Sequence, residues 1–217
     1  MNSHAKSLEA VLGLTAFTAG AVDVISFTKL GGVFASAMTG NLAFLGLYLA
    51  KMSFGAAFGS FIALAGFVAG GAAGHFLVRG RMQHAALQLL LGVECGLLVV
   101  AALLWLGGGA RDLLIALFSV AMGLQSIVGK RVNLSNIPTV VFTSTLTNIV
   151  IAVTDMVATG VRNLPKDTRR QLISFFAYFG GALVAGVAVA VQAADAAFVL
   201  PVVGVVVALV LLKPHAG

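Results

Sequence analysis

Charged side chains make up only 9% of these 217 residues, and the chain holds one cysteine, four prolines and one tryptophan. The shortage of charge excludes an ordinary water-soluble domain, whose surface needs roughly a quarter of its residues charged. One cysteine, Cys95, excludes an intrachain disulfide; it lies inside an apolar run, where it reads as a small core residue. His4, His75, His84 and His215 form no His-x-x-x-His or Cys/His spacing, so no metal site and no cofactor is expected. The net charge is +6, yet Lys and Arg occur singly or in pairs between apolar runs. That spacing excludes a nucleic-acid surface and fits short loops held against anionic lipid.

What is present is hydrocarbon. Hydrophobic residues form 60% of the chain and its mean hydropathy is +1.07, which marks an integral membrane protein in contact with a lipid bilayer. The first ten residues carry Glu9 ahead of the apolar stretch and no small-residue cleavage site follows, so the N-terminus is expected to be retained.

A bilayer core of about 30 Å takes about 20 apolar residues to cross as helix. Eight apolar segments emerge, at Ser7–Phe27, Val33–Ala50, Phe54–Val78, Ala85–Leu106, Leu113–Val128, Pro138–Thr159, Gln171–Val191 and Ala196–Leu212. Their length and weak alternation exclude barrel strands, and backbone amides in lipid must then be satisfied within helices. The connections leave no room for a second domain. The expected fold is an all-α membrane bundle of six to eight transmembrane segments in one domain, residues 1–217.

Three blocks recur in order along the chain. Gly20-Ala-Val-Asp23 echoes Gly123-Leu-Gln-Ser126, Phe34–Gly46 echoes Pro138–Val150, and Gly70-Gly-Ala72 echoes Gly180-Gly-Ala182. The order predicts an internal two-fold repeat, residues 7–106 and 113–212. Charge distributes unevenly only if the second and sixth segments dip in and return. Ten of the thirteen basic residues then share one face, with Lys29, Lys51 and Arg111 opposite. The length of Pro138–Thr159 favours a full crossing instead, so the span count stays open.

Glycines at four-residue spacing, Gly66, Gly70 and Gly74, with Gly55, Gly59, Gly92 and Gly96, are expected to let helices approach closely. The same glycine-rich faces suit a homo-oligomer. The fifteen Phe residues are scattered, as lipid contact and core packing require.

Polar residues inside the apolar runs are the candidates for function. Gly31-Gly32 and Pro138 precede the Thr39-Gly40-Asn41 and Thr143-Ser144-Thr145 clusters, so helix is expected to break and restart at each. Restarted helices expose amides to anions or carbonyl oxygens, and transporters build midplane sites from such segments. A substrate site is therefore expected from Asp23, Thr39, Gly40, Asn41, Gln125, Thr143, Thr145 and Asn148. Ser144, Asn148 and Asp155 fall on one helical face and are expected to line a cavity. Glu94 sits at mid-helix, where an acid is costly, and with Asp155 it is a proton-coupling candidate.

Gly20-Ala-Val-Asp-Val-Ile-Ser-Phe27, Phe34-Ala-Ser-Ala-Met-Thr-Gly-Asn41 and Met122-Gly-Leu-Gln125 resemble the YoaK family of bacterial polytopic membrane proteins, a domain of unknown function. The resemblance covers nearly the whole chain and places signature positions at Gly20, Asp23, Thr39, Gly40, Asn41, Gly123 and Gln125. Thr143-Ser144-Thr145 departs from the Thr-Gly-Thr common in such proteins. The resemblance implies the bacterial cytoplasmic (inner) membrane but no reaction or substrate.

The leading expectation is a permease or transporter for an unknown small solute. A structural or regulatory membrane subunit is the alternative. A membrane enzyme acting on a lipid-linked substrate comes second, since no catalytic set of residues is visible and no enzyme is expected.

Overall fold

A computed structural model describes residues 3–132, 142–159 and 164–212. It is all helix over those residues: α1 (Ser3–Lys29), α2 (Met38–Ala50), α3 (Phe54–Val78), α4 (Gln83–Leu106), α5 (Arg111–Val132), α6 (Phe142–Thr159), α7 (Lys166–Ala190) and α8 (Ala194–Leu211). Each apolar segment of the sequence contributes one helix, the second only from Met38 onward. Six of them, α1, α3, α4, α5, α7 and α8, are long and apolar enough to cross a membrane, and α2 and α6 are the shorter pair. The Pro138–Val141 start of the sixth segment, the side chain of Thr143, and Arg162 and Lys213 lie outside the described residues.

Polar contacts at the helix ends fix how the spans run. Arg170 at the start of α7 pairs with Glu9 near the start of α1 at 2.8 Å. The Gln83 amide at the start of α4 donates to the Arg131 and Val132 carbonyls at the end of α5, at 2.7 and 3.2 Å. Arg131 in turn donates to the Val78 carbonyl at the end of α3, at 3.1 Å. Leu8 of α1 shares a small apolar pocket with Gln83 and Leu87 of α4, so all these ends lie together. This is the basic end, where Arg79, Arg81, Lys130, Lys166 and Arg169 also fall.

Two anchors mark the far end. Arg111, which opens α5, donates through Nε to the Leu30 carbonyl just past α1 at 2.7 Å, and its guanidinium lies beside Gly59 of α3. Trp105, near the end of α4, donates to Asp195 at the start of α8 at 2.8 Å. Because α1 ends and α3 begins around the same Arg111, α2 leaves and returns on one side. The connection carrying α6 likewise starts and finishes at the basic end, between Arg131 and Arg170.

Inside the bundle, α1 packs along α7 and α8 while α5 packs along α3 and α4, with α1 against α5 and α4 against α8. Glycine sets the closest approaches. A Cβ on Gly20 would collide with the Tyr178 carbonyl, and one on Gly181 with the Phe17 carbonyl, so α1 and α7 touch backbone to backbone. Gly70 meets the Val120 carbonyl and Gly123 the Phe67 carbonyl in the same way, closing α3 on α5. Such contacts drive helix association where lipid removes the hydrophobic force. Gly66 and Gly74 also face α5, whereas Gly55, Gly92 and Gly96 have open space beside them, so only part of the glycine pattern packs within one chain.

The buried centre includes Leu90, Leu91, Leu98, Phe118, Met122 and Phe198. Outward faces carry Phe54, Phe58, Phe61 and Phe76 on α3 and Phe176 and Phe179 on α7, as expected of side chains meeting lipid tails.

Candidate functional site

Gly31 and Gly32 end α1. Both take positive φ, 85° and 76°, which glycine adopts without the clash that a Cβ brings, and the Gly32 amide donates back to the Phe27 carbonyl at 2.9 Å. The chain then turns back along α1 as non-helical backbone through Ala37. Its amides need acceptors, because irregular backbone at membrane depth survives only when buried in protein or lining a cavity.

Asp23 supplies them. Its Oδ1 accepts from the Ala35 and Ser36 amides at 2.9 and 2.7 Å, and its Oδ2 accepts from the hydroxyls of Ser36 at 2.6 Å and Tyr178 at 2.7 Å. Four donors from the returning backbone and α7 thus converge on one buried carboxyl. Asp23 lies six residues before Lys29, about 9 Å down the helix axis, so Ala35 and Ser36 reach that depth too.

Asn41 holds the next step. The Phe34 amide donates to its Oδ1 at 2.9 Å and its Nδ2 donates to the Phe34 carbonyl at 2.6 Å, so the side chain closes the hairpin by mimicking a backbone pair. The ring of Phe34 stacks on Phe27 at 4.9 Å and on Phe44 at 6.2 Å, and it lies over Gly40, where a Cβ would press on it at 3.1 Å. Helix α2 restarts at Met38 and climbs back out. At 13 residues, about 20 Å, it is too short for a crossing. The second segment of the sequence is therefore an inward non-helical stretch followed by a half-helix.

At that restart, Ala37 takes the N-cap position and no side chain caps the first turn. Thr39 is exposed beside it. The Met38, Gly40 and Asn41 amides bond the Ser36 and Ala37 carbonyls at 3.0, 3.0 and 3.3 Å, so what the restart offers an anion or a carbonyl oxygen is the helix dipole together with the amide and hydroxyl of Thr39.

In the other half, Thr145 is fully buried, while Ser144 and Asn148 are exposed. Asn148 and Asp155 share an open groove of about 320 Å³ with Ile151, Ala152, Met156, Thr159 and Pro165. Among the described residues α2 and α6 do not touch: α2 lies on α3 and α6 on α7. The structure thus joins Asp23 to the Phe34–Asn41 stretch but does not bring the Thr39 and Thr145 regions into contact. Gln125, buried in α5, donates to the Thr15 carbonyl of α1 at 3.0 Å. Glu94 is fully buried in α4, and neither of its oxygens has a hydrogen-bond partner among the described residues.

Ser36 and Tyr178 are the residues that sequence reasoning missed. Ser36 stood within the polar stretch, and Tyr178, one of two tyrosines, lies inside an apolar run where a hydroxyl needs a partner. Among the described residues no three His, Cys, Asp or Glu side chains converge as a metal-holding group.

Comparison with known proteins agrees with a membrane bundle. The family model described as a protein of unknown function, DUF1275, matches residues 11–211. The UPF0700 transmembrane protein YoaK of Bacillus subtilis (strain 168) is 30% identical over 186 residues, which cover 82% of each chain. No solved structure matches.

Proposed function

The chain belongs to the DUF1275 family of membrane proteins of unknown function, and on that premise we propose that it is a small-solute transporter of the bacterial cytoplasmic membrane. The observation that carries this reading is the first turn of α2, which has no side-chain cap and restarts part-way down the bundle beside the buried Asp23, with Thr39 exposed on it. A half-helix that begins inside a bundle brings a fixed partial positive charge to a place where lipid would otherwise leave none. The solute suited to it carries a carboxylate, a phosphate or a polarised carbonyl.

The reading includes an inverted pair of three-span halves. It is supported by the matching way in which α1 takes α7 and α8 as neighbours and α5 takes α3 and α4, with Gly20 and Gly123 at equivalent contacts. Three spans per half reverse direction between the halves, and the two packed groups, α1 with α7 and α8 and α5 with α3 and α4, can rock against each other about the α1–α5 and α4–α8 contacts. The proposal contains no catalytic step.

Flux into proteoliposomes tests the reading, with inorganic phosphate and short-chain carboxylates as probes. Thr39→Val leaves the bonds of Asp23 and Asn41 alone and is expected to lower flux about tenfold, the loss of one good polar contact. Equal flux in the folded variant, or none in the wild-type chain with any probe, sinks the proposal. A second reading, a structural or regulatory subunit, draws on the fact that Asp23, Asn41 and Gln125 all bond the chain's own main chain. Co-purification of a partner in fixed ratio, without flux, favours it.

A further inference from the structure

Where α1, α4, α5 and α8 meet, three polar side chains from three helices are buried with oxygens left over. The carboxamide of Gln125 is held against α1 because its Nε2 donates to the Thr15 carbonyl, and its Oε1 has no partner among the described residues. Thr18, one turn along α1 from Thr15, is fully buried and its Oγ1 is also unpartnered. That hydroxyl lies so close to Gly204 of α8 that a Cβ there would collide with it. Glu94 of α4 adds two more oxygens, both buried and unpartnered.

Helix register brings Glu94 to the same level. Gln83 is pinned to the Arg131 and Val132 carbonyls, and α4 and α5 run antiparallel, so eleven residues up α4 correspond to eleven back along α5. That point is Val120 or Ala121, about one helical turn from Gln125. The faces agree as well. Trp105, three turns beyond Glu94, stacks on Phe198 of α8 at 4.3 Å, and Phe118, two turns from Gln125, stacks on the same ring at 5.6 Å. Side chains in helices lean toward their own N-termini, and in antiparallel α4 and α5 this leans Glu94 and Gln125 toward each other.

We propose that Glu94, Gln125 and Thr18 form an all-oxygen site for one monovalent cation, with sodium as the test ion. The amide's only donors are on Nε2, which is turned to Thr15, so what remains is rich in acceptors. The Thr18 hydroxyl and a proton on Glu94 would supply two donors among four oxygens, whereas a cation is held by carboxylate, amide and hydroxyl oxygens at once. Charge sets the valence: one positive charge neutralises the lone carboxylate, while a divalent ion would leave a net charge in an apolar core. Gly204 leaves the Thr18 hydroxyl its room. The site is separate from the Asp23 hairpin and stands whether or not the chain moves a solute.

Thermal unfolding of the purified full chain in detergent, titrated with sodium against choline at constant ionic strength, tests it. The expected result is a saturable rise in Tm with sodium, absent in Glu94→Gln and shifted to about tenfold higher sodium in Thr18→Val. Should Glu94→Gln fail to fold, the Thr18→Val titration and the sodium-23 NMR linewidth of the wild-type chain decide the matter. Equal Tm in sodium and choline overturns the proposal. So does a Tm that moves with pH and not with sodium, which would assign Glu94 a proton.

Discussion

Asp23 shows how a single acid can be tolerated in an apolar helix: its oxygens accept from two amides and two hydroxyls, and those amides belong to backbone that has no other acceptor. Asp23→Ala removes all four bonds and leaves the Ala35 and Ser36 amides buried and unpaired. A loss of about 3 kcal/mol is expected, measured as a lower Tm in detergent, since bonds to charged groups contribute about 1.5–3 kcal/mol each and do not add. Ser36→Ala removes one hydroxyl donor and is expected to cost about 1 kcal/mol by the same measurement. The sequence pointed to Asp23 and Asn41 because polar side chains in a hydrocarbon run need partners. It did not reveal which partners, because Tyr178 lies on a distant helix and Phe34 offers only its main chain, which carries no side-chain signature. The polar atoms of Asp23 and Asn41 bond the chain's own returning backbone.

Between helices, the deciding feature is which glycines have a neighbour. Gly→Ala in an open helical position is worth about 0.5–1 kcal/mol in favour of alanine, so Gly92→Ala is expected to leave Tm unchanged or slightly raised. Gly20→Ala and Gly123→Ala put a methyl group into the opposing backbone carbonyl, which cannot swing aside as a side chain can. Each is expected to cost about 1–3 kcal/mol, read as a Tm drop of several degrees, with Gly92→Ala as the internal control. Four-residue spacing picked out Gly66, Gly70 and Gly74, which do pack. It picked out Gly92 and Gly96 equally well, because spacing records a shared face and says nothing of what stands opposite. Segment boundaries were readable for the long helices from apolar length alone. In the second segment the break after Gly31-Gly32 and the restart near Thr39 were readable too, but the length of its non-helical backbone was not, since Val33–Ala50 has the composition of a span and the acceptor at Asp23 lies twelve residues back along the chain.

Across the whole molecule, six candidate spans and a returning α2 put the first residues of α1 and the last turn of α8 at one end of the bundle. That end holds the basic loops around Arg79, Arg81, Lys130, Arg131, Lys166, Arg169 and Arg170, so the positive-inside rule predicts that it faces the cytoplasm. A fluorescent protein fused after Gly217 is accordingly expected to fluoresce, and alkaline phosphatase at the same place to be inactive; the reverse pair would invert the orientation. The charge count in the sequence already leaned this way, but segment length pulled against it, and only the contacts of Arg111 with both Leu30 and Gly59 separate the two arrangements. Cysteine labelling of intact cells puts the returning hairpin itself to the test, in a chain with Cys95→Ser and one cysteine at Lys29 or at Lys51. Both positions flank α2 and are expected to react with a membrane-impermeant maleimide from outside, while Gln83→Cys reacts only after permeabilisation. Labelling of Lys29→Cys and Lys51→Cys from opposite sides would mean that α2 crosses, and the pinned hairpin with its inward helix start would be lost.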